Sequence, residues 1–459
     1  MSITNKHFDV AIIGAGLTGL TTAYYLKKAG VNFIVLEQQS RIGGVIHSEH
    51  HDGFTYETGP NTGVLSSPEA AELIEALSHS CQLEIANAQA KKRLIWKGKR
   101  WVALPSGLLS GVTTPLFSFA DKLRILGEPF RKPGTNPHET LAELVLRRMG
   151  KSFLDYAIDP FILGIYAGDP SYLVPKYALP KLYNLEQSYG SFIGGAIKKA
   201  KEPKSDRDKK ATKEVFSIKN GLSNLINALG KEVGNENIAL SCKDLKVDFE
   251  GKYTLSTPDG SVNITSSKVI TTIGSYALPE TFTFLSDWQK SVIDNLLYAR
   301  VAQLSLGFKK WEGHSINAFG GLVPSKEKRK VLGVLFPSSF LTNRAPEGGA
   351  LLSVFTGGFR NPEITALTDE ELFNALIPDL KDMLGLNEVK PDLIRVFRYT
   401  HAIPQYGAST GDRLEMVNQL QNQYPGLYIA GNLRDGIGMS DRIKQGTQIA
   451  NDVIEAIKG

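Results

Sequence analysis

Three glycines, Gly14, Gly16 and Gly19, stand directly after the apolar run Val10-Ala11-Ile12-Ile13. Their spacing lets a chain turn tightly, bring backbone N–H groups to a phosphate without an intervening Cβ, and lay a helix close on a strand. Ala15, Leu17 and Thr18 complete the loop and open the helix, whose unpaired amides and partial positive charge suit an anion. Glu37 comes 18 residues after Gly19, at the end of a second apolar run, Phe33-Ile34-Val35-Leu36. A carboxylate about 20 residues on accepts hydrogen bonds from a ribose. Strand, glycine turn, helix, strand and acid predict a dinucleotide-binding unit over residues 8–41.

The elements that must position this unit are legible in outline. A helix carrying Leu20, Ala23, Tyr24 and Leu26 ends at Gly30, and a second runs from Pro68 to Leu77, capped by Ser66 or Ser67. Leu94-Ile95-Trp96 and Arg100-Trp101-Val102 flank Lys97-Gly98-Lys99 as a hairpin, and residues 140–150 form an amphipathic helix. Strands are expected over 238–247, 253–257 and 268–273, and more strands over 301–400 around a helix at 368–384. Leu427-Tyr428-Ile429-Ala430-Gly431-Asn432 reads as a strand that turns at Gly438 into a helix running to Ile457. The apolar stretch 104–119 reads as core of a helical region, or as an exposed lip against a membrane or channel; core is the favoured reading. Residues 198–213, dense in both charge signs, read as a mobile surface loop.

Bulk properties set limits. With 459 residues the chain can hold two or three domains, and 42% hydrophobic and 22% charged residues mark an ordinary globular protein. A net charge of +5 is mild for this length, and the one charge-rich stretch lacks aromatics, so no nucleic-acid partner is expected. Cys81 and Cys242 lie far apart, which points to a reducing compartment without a disulfide framework. No secretory leader is read at the N-terminus, and no run reaches the ~20 apolar residues of a membrane span. His47, His50 and His51 fall in a loop and His401 stands alone, so no metal site is expected. No nucleophile motif is present either, which leaves a bound cofactor to carry the chemistry.

Further motifs carry a resemblance. Glu37 continues as Gln38-Gln39-Ser40-Arg41-Ile42-Gly43-Gly44, followed later by Tyr56-Glu57-Thr58-Gly59-Pro60-Asn61-Thr62. Together with the C-terminal Gly431-Asn432 and Ile437-Gly438-Met439, these resemble the flavin motifs of the FAD-containing amine oxidase superfamily. Within it, Phe161-Ile162-Leu163-Gly164-Ile165-Tyr166-Ala167-Gly168-Asp169-Pro170, Gly320-Gly321-Leu322-Val323-Pro324 and Ala402-Ile403-Pro404-Gln405-Tyr406 are similar to the protoporphyrinogen and coproporphyrinogen oxidases.

The resemblance covers essentially the whole chain. It implies an α/β fold: a Rossmann-type FAD-binding domain (1–64, 215–275, 406–459) interleaved with a mixed-sheet substrate domain (65–90, 276–405) and a helical insertion (91–214). It implies non-covalent FAD on the first glycine loop, Glu37, Arg41, Gly43, Gly44, Gly59, Pro60, Asn61, Thr62 and the C-terminal segment, with Asp244 passing near the adenine. Tyr166, Ala167, Gly168, Leu322, Leu335 and Phe355 would line a flat slot for a porphyrinogen. Three rounds of hydride transfer from a methylene carbon to FAD, with proton loss from nitrogen, would aromatise the macrocycle. Molecular oxygen would accept the electrons and leave as hydrogen peroxide, and the backbone carbonyl around Gly164 would aid proton removal or substrate orientation. A cytoplasmic enzyme is implied, with a homodimer and peripheral contact with the inner face of a membrane left open.

Two departures bear on the substrate. Leu109 stands where several members carry an arginine for a propionate, which leaves Arg100 or Lys176 as candidates, and Gly407-Ala408 replaces a Gly-His pair. A flavin amine oxidase and a non-catalytic binding protein of the same fold are the alternatives.

Overall fold

The computed structural model describes residues 3–458, apart from the side chains of residues 108 and 109. The predicted dinucleotide unit is built on Ile3–Ile13, which pairs in parallel with Phe33–Leu36 on one side and Val262–Thr271 on the other. The register Ile13↔Leu36 brings both strands to the same sheet edge, so Gly14 and Glu37 emerge side by side. Val10, Ala11 and Ile12 are fully buried, as expected of a parallel strand covered on both faces. Ile238–Ala239 and Leu427–Ile429 extend the parallel part, and Lys246–Phe249 with Tyr253–Ser256 add an antiparallel pair.

The helix Leu17–Lys28 and the C-terminal helix Met439–Lys458 cross on one face of this sheet. They touch at Gly446, where a Cβ would lie 2.6 Å from the Thr18 carbonyl, and the Thr22 hydroxyl donates to the Gly446 carbonyl at 3.1 Å.

Some expected elements fall differently. The strand expected at 238–247 is two strands, because Ser241 and Asp244 take left-handed conformations (φ 63° and 53°) and fold the chain back. The strand expected at 268–273 is the second half of Val262–Thr271. His50 and His51 lie in the strand Ser48–His51, not in a loop. Asp52 and Gly53 (φ 49° and 80°) turn it tightly into Phe54–Glu57, the mirror-image hairpin turn that Asp-Gly favours.

The second sheet has the order Leu393–Pro404, Tyr298–Phe308, Ala350–Gly357, Val331–Leu335, Gly320–Leu322, Arg93–Lys97, Arg100–Ala103. The hairpin expected inside 91–214 is therefore hydrogen-bonded into this sheet, through Gly321↔Leu94. One face packs Ala302, Leu304, Val334 and Val354 with Leu372, Leu376 and Leu380 of the helix Asp369–Leu384. Thr368 and Glu371 start that helix with reciprocal side-chain-to-backbone bonds, worth about 1 kcal/mol. The opposite face carries Leu322, Leu335, Phe355, Gln303 and Ser353.

Residues 108–200 are largely helical, and among them Arg148 is fully buried between Glu128 (3.0 Å) and Glu186 (2.6 Å). The apolar stretch divides between its two readings: Leu116 and Phe117 are buried, while Val112 and Phe119 are 69% and 75% exposed. Residues 198–213 hold a helical turn, Asp206–Lys209, capped by Ser205. It is fastened by Arg207 to Glu69 and Glu72, so the expected loop is partly ordered by ion pairs. Among the described residues no helix is long and apolar enough to cross a membrane.

Candidate active site

Each glycine of the first loop has a distinct surrounding. A Cβ on Gly19 would lie 2.0 Å from the Gly14 carbonyl oxygen, and Gly14 itself has φ 101° against Thr272. Gly16 differs: a Cβ there would meet nothing within 4 Å. It is also the N-cap of Leu17–Lys28 and supplies no side-chain cap, so the first-turn amides are left to an incoming acceptor. Glu37 is 5% exposed, and its two carboxylate oxygens accept from the Ala15 and Gln39 N–H groups, both at 2.8 Å. An open cradle of uncapped amides beside an oriented carboxylate fits the diphosphate and ribose of a dinucleotide.

The second glycine loop is laid on the first. The Gly43 N–H donates to the Ala15 carbonyl (2.8 Å), and a Cβ on Gly44 would come within 3.4 Å of Gly16 Cα. Arg41 bends over its own loop, donating to the carbonyls of Gly44 (2.8 Å) and Ile42 (3.2 Å). A third layer follows: the Thr58 N–H donates to the His47 carbonyl, and Gly59 sits where a Cβ would lie 2.1 Å from the Val45 carbonyl oxygen.

The segment 57–61 is tied in turn to the second sheet. Gln303 donates to the Glu57 carbonyl (2.8 Å), Tyr399 to the Thr58 carbonyl (2.5 Å) and Ser353 to Asn61 Oδ1 (2.7 Å), from three different strands. Pro60 and Thr62 are half-buried beside them. Behind the segment, Glu57 is buried against Arg344 (3.0 Å), Ser48 and the Leu222 N–H.

The C-terminal segment arrives from the other side. Gly431 (φ 89°) packs on the Thr272 carbonyl, the residue that also touches Gly14. Asn432 is held by Tyr298 on its side chain (3.2 Å) and by Tyr406 on its carbonyl (2.6 Å). The Gly438 N–H donates to Asp441 (3.0 Å); half-buried Ile437 precedes it and buried Met439 opens the helix. Asp244 is exposed in the turn whose Cys242 N–H donates to the Glu37 carbonyl (2.9 Å).

The apolar front of the second sheet faces the helix Asp159–Tyr166. A Cβ on Gly164 would lie 2.4 Å from Leu322 Cδ2, so only glycine lets the helix lie this close. Ala167 ends the helix in a left-handed conformation (φ 46°) and bonds back to Leu163, which leaves the Gly164 carbonyl without a backbone donor among the described residues. Gly168 abuts Gln405, whose amide donates to the Tyr166 carbonyl (2.8 Å). Tyr166 donates to the Ala178 carbonyl (2.6 Å), and burial pushes its phenol well above the usual range.

One residue was missed by sequence reasoning. Arg93 pairs with Gly320, which also pairs with Leu335, so Arg93 stands exposed on the same face as Leu322 and Leu335. Its guanidinium lies over the Phe319 ring at 5.6 Å and has no carboxylate partner among the described residues. Its alternation with Leu94 was in the sequence, but the face it occupies follows only from the sheet register. Arg100 lies at the hairpin's far end and Lys176 over the Tyr177 ring (5.4 Å), neither of them beside Leu335. The Leu109 side chain lies outside the described residues.

Asp169, one residue past Gly168, fixes this corner. Burial raises its carboxyl, but the Arg360 fork (2.6 and 2.7 Å) and the Ser171 N–H outweigh that and hold it below the usual carboxylate range. Its folded pKa is therefore below the unfolded value of about 3.9, and the stabilisation it gives is present above that value and lost as pH falls through the folded one. Arg360→Gln is expected to cost about 1 kcal/mol at neutral pH, modest because Arg360 is 39% exposed. Urea melts should show the gap from wild type closing toward pH 3; a gap that persists there would refute this account.

Comparison with known proteins agrees with this geometry. The model of the flavin containing amine oxidoreductase family matches residues 17–454. Protoporphyrinogen oxidase 2 of Arabidopsis thaliana is 30% identical over an alignment spanning 98% of this chain and 94% of that protein. Coproporphyrinogen III oxidase of Bacillus subtilis (strain 168) is 27% identical, with 99% of each chain covered. A crystal structure from Exiguobacterium sp. 255-15, described as a candidate protoporphyrinogen oxidase, superposes with a TM-score of 0.82 at 24% identity, covering 99% of this chain and 100% of that one. The chain belongs to the flavin containing amine oxidoreductase family, in its protoporphyrinogen and coproporphyrinogen oxidase branch.

Proposed function

We propose that the chain oxidises a porphyrinogen to the porphyrin with non-covalently bound FAD and dioxygen as acceptor. The observation that carries this reading is the apolar face of Leu322, Leu335 and Phe355 opposite a glycine whose carbonyl has no backbone donor among the described residues. FAD, when bound, supplies a hydride acceptor that dioxygen can restore. The chain's own residues do the rest. Uncapped amides at Gly16 to Thr18 bind the diphosphate, and Glu37 takes the ribose. Leu322, Leu335 and Phe355 exclude water from a flat macrocycle and orient it. The Gly164 carbonyl accepts a pyrrole N–H and holds the leaving proton near its oxygen. Arg93 receives a peripheral carboxylate. Functionally, residues 1–64, 215–275 and 406–459 serve the cofactor, and 65–90 and 276–405, joined by Arg93 and Gly164 of 91–214, the substrate.

Anaerobic titration with protoporphyrinogen IX and with coproporphyrinogen III tests the reading. Rapid bleaching of the flavin band by one of them, then porphyrin fluorescence on admitting air, is the expected result. A yellow protein bleached by neither would sink the proposal and bring amine substrates forward. Arg93→Gln should raise KM for the preferred porphyrinogen about 10- to 100-fold, the weight of one charge-assisted pair, with kcat within about threefold of wild type. An unchanged KM would remove Arg93 from the substrate site.

A further inference from the structure

Three arginine side chains are essentially fully buried: Arg148, Arg344 and Arg413. The first is clamped between Glu128 and Glu186, and the second is paired with Glu57. Arg413, 1% exposed, makes no ion pair among the described residues. Nη1 donates to the Asn295 carbonyl (2.8 Å), Nη2 to Thr410 Oγ1 (3.1 Å), and the buried Nε has no acceptor among the described residues. Its two acceptors stand in the segments that lead into Tyr298 and out of Tyr406, and neither of those phenols is an anion, burial pushing both above the usual range. Its setting adds to the imbalance, because Arg413 lies in the first turn of Thr410–Gln423, where the helix end is already partly positive. An unpaired buried charge costs several kcal/mol, and a fold keeps one only where something else supplies the compensation.

The phenols show where the compensation enters. Tyr298 and Tyr406 both end on Asn432, and Tyr406 also reaches the Gly436 carbonyl (3.2 Å). Asn432 follows Gly431, which shares Thr272 with Gly14 of the open phosphate cradle. A buried cation bonded to the segments that carry both hydroxyls makes them stronger donors, fixing Asn432 and adding positive potential at this junction. We propose that Arg413 is a positioning residue whose missing counter-charge is the anionic dinucleotide, felt through Tyr298 and Tyr406 at Asn432. This rests on the FAD reading above.

The test compares full-length wild type, Arg413→Met and Arg413→Lys, each stripped of flavin, by FAD titration and by thermal melting. Met has similar bulk and no charge; Lys keeps the charge without the fork. The expected result is about a 10-fold loss of FAD affinity in Arg413→Met, with its flavin-free form melting no lower than wild type, and recovery to within about threefold in Arg413→Lys. FAD affinity unchanged in Arg413→Met would overturn the proposal. So would Lys performing no better than Met, or a flavin-free Met variant melting markedly lower, since either assigns Arg413 a purely structural role. Wild-type protein that takes up no FAD would instead sink the cofactor reading itself, before any variant is compared.

Discussion

Gly19→Ala should yield a protein that takes up no flavin and is less stable by about 3 kcal/mol. The added methyl would sit 2.0 Å from the Gly14 carbonyl oxygen, a backbone atom that cannot rotate away. Relief requires the helix Leu17–Lys28 to lift from the sheet, which also drags the uncapped amides from the diphosphate site. Gly16→Ala is the matched control. Its φ of −72° suits alanine, and its methyl would meet nothing within 4 Å. That variant should melt like wild type yet bind FAD at least about 10-fold more weakly, because the space it fills is the space the diphosphate needs. Denaturant melts and the visible flavin absorbance of reconstituted protein decide both cases. Gly16→Ala binding flavin like wild type would remove the cradle from the cofactor site.

Arg344→Met should be the most destabilising of the charge substitutions, by about 3–5 kcal/mol. It strands Glu57, 3% exposed, with only Ser48 and the Leu222 N–H to solvate its charge. Burial already pushes the Glu57 carboxyl above its usual range against the opposing pull of Arg344, and without the guanidinium only Ser48 and the Leu222 N–H oppose that push. A folded pKa above the unfolded value of about 4.3 means that stability is retained in acid and lost as pH rises through the folded value. The variant should therefore be closest to wild type near pH 5 and fall behind toward pH 8, in guanidinium melts at each pH. Adding Glu57→Gln should recover most of the loss, and a double variant no better than the single would show that the pair is not the cause. Because Glu57 opens the segment that Gln303, Tyr399 and Ser353 hold, flavin retention should follow the same pH trend.

Periodic and punctuated stretches gave up most of the fold. The first strand, glycine turn and helix, the caps at Ser67, Thr140 and Thr368, and the hairpin around Gly98 all follow from local rules that act within a few residues. Other features depended on partners far along the chain. The break at Ser241 and Asp244 comes from a turn that must pass Glu37, and two ordinary polar residues do not announce a left-handed backbone. The Asp52-Gly53 turn was readable, yet its flanking histidines drew attention to metal chemistry instead. The ordered turn in 198–213 needs acids on the helix Pro68–Ala76, more than a hundred residues away. Arg93 shows the limit most directly: its type was evident, but which face of a seven-stranded sheet it joins is set by pairing with a strand far along the chain.

The crossing of Leu17–Lys28 by Met439–Lys458 has a consequence for biosynthesis. Thr22 and Gly446 are 424 residues apart in sequence and in direct contact in the fold. In a nascent chain the first glycine loop is made long before the helix Met439–Lys458 that packs behind it. Contacts of such separation form late and slowly, since the intervening chain must first be organised. Completion of this face thus waits for residues 439–458, and a product truncated before residue 439 should emerge colourless, exposing its apolar helix face to chaperones and proteases.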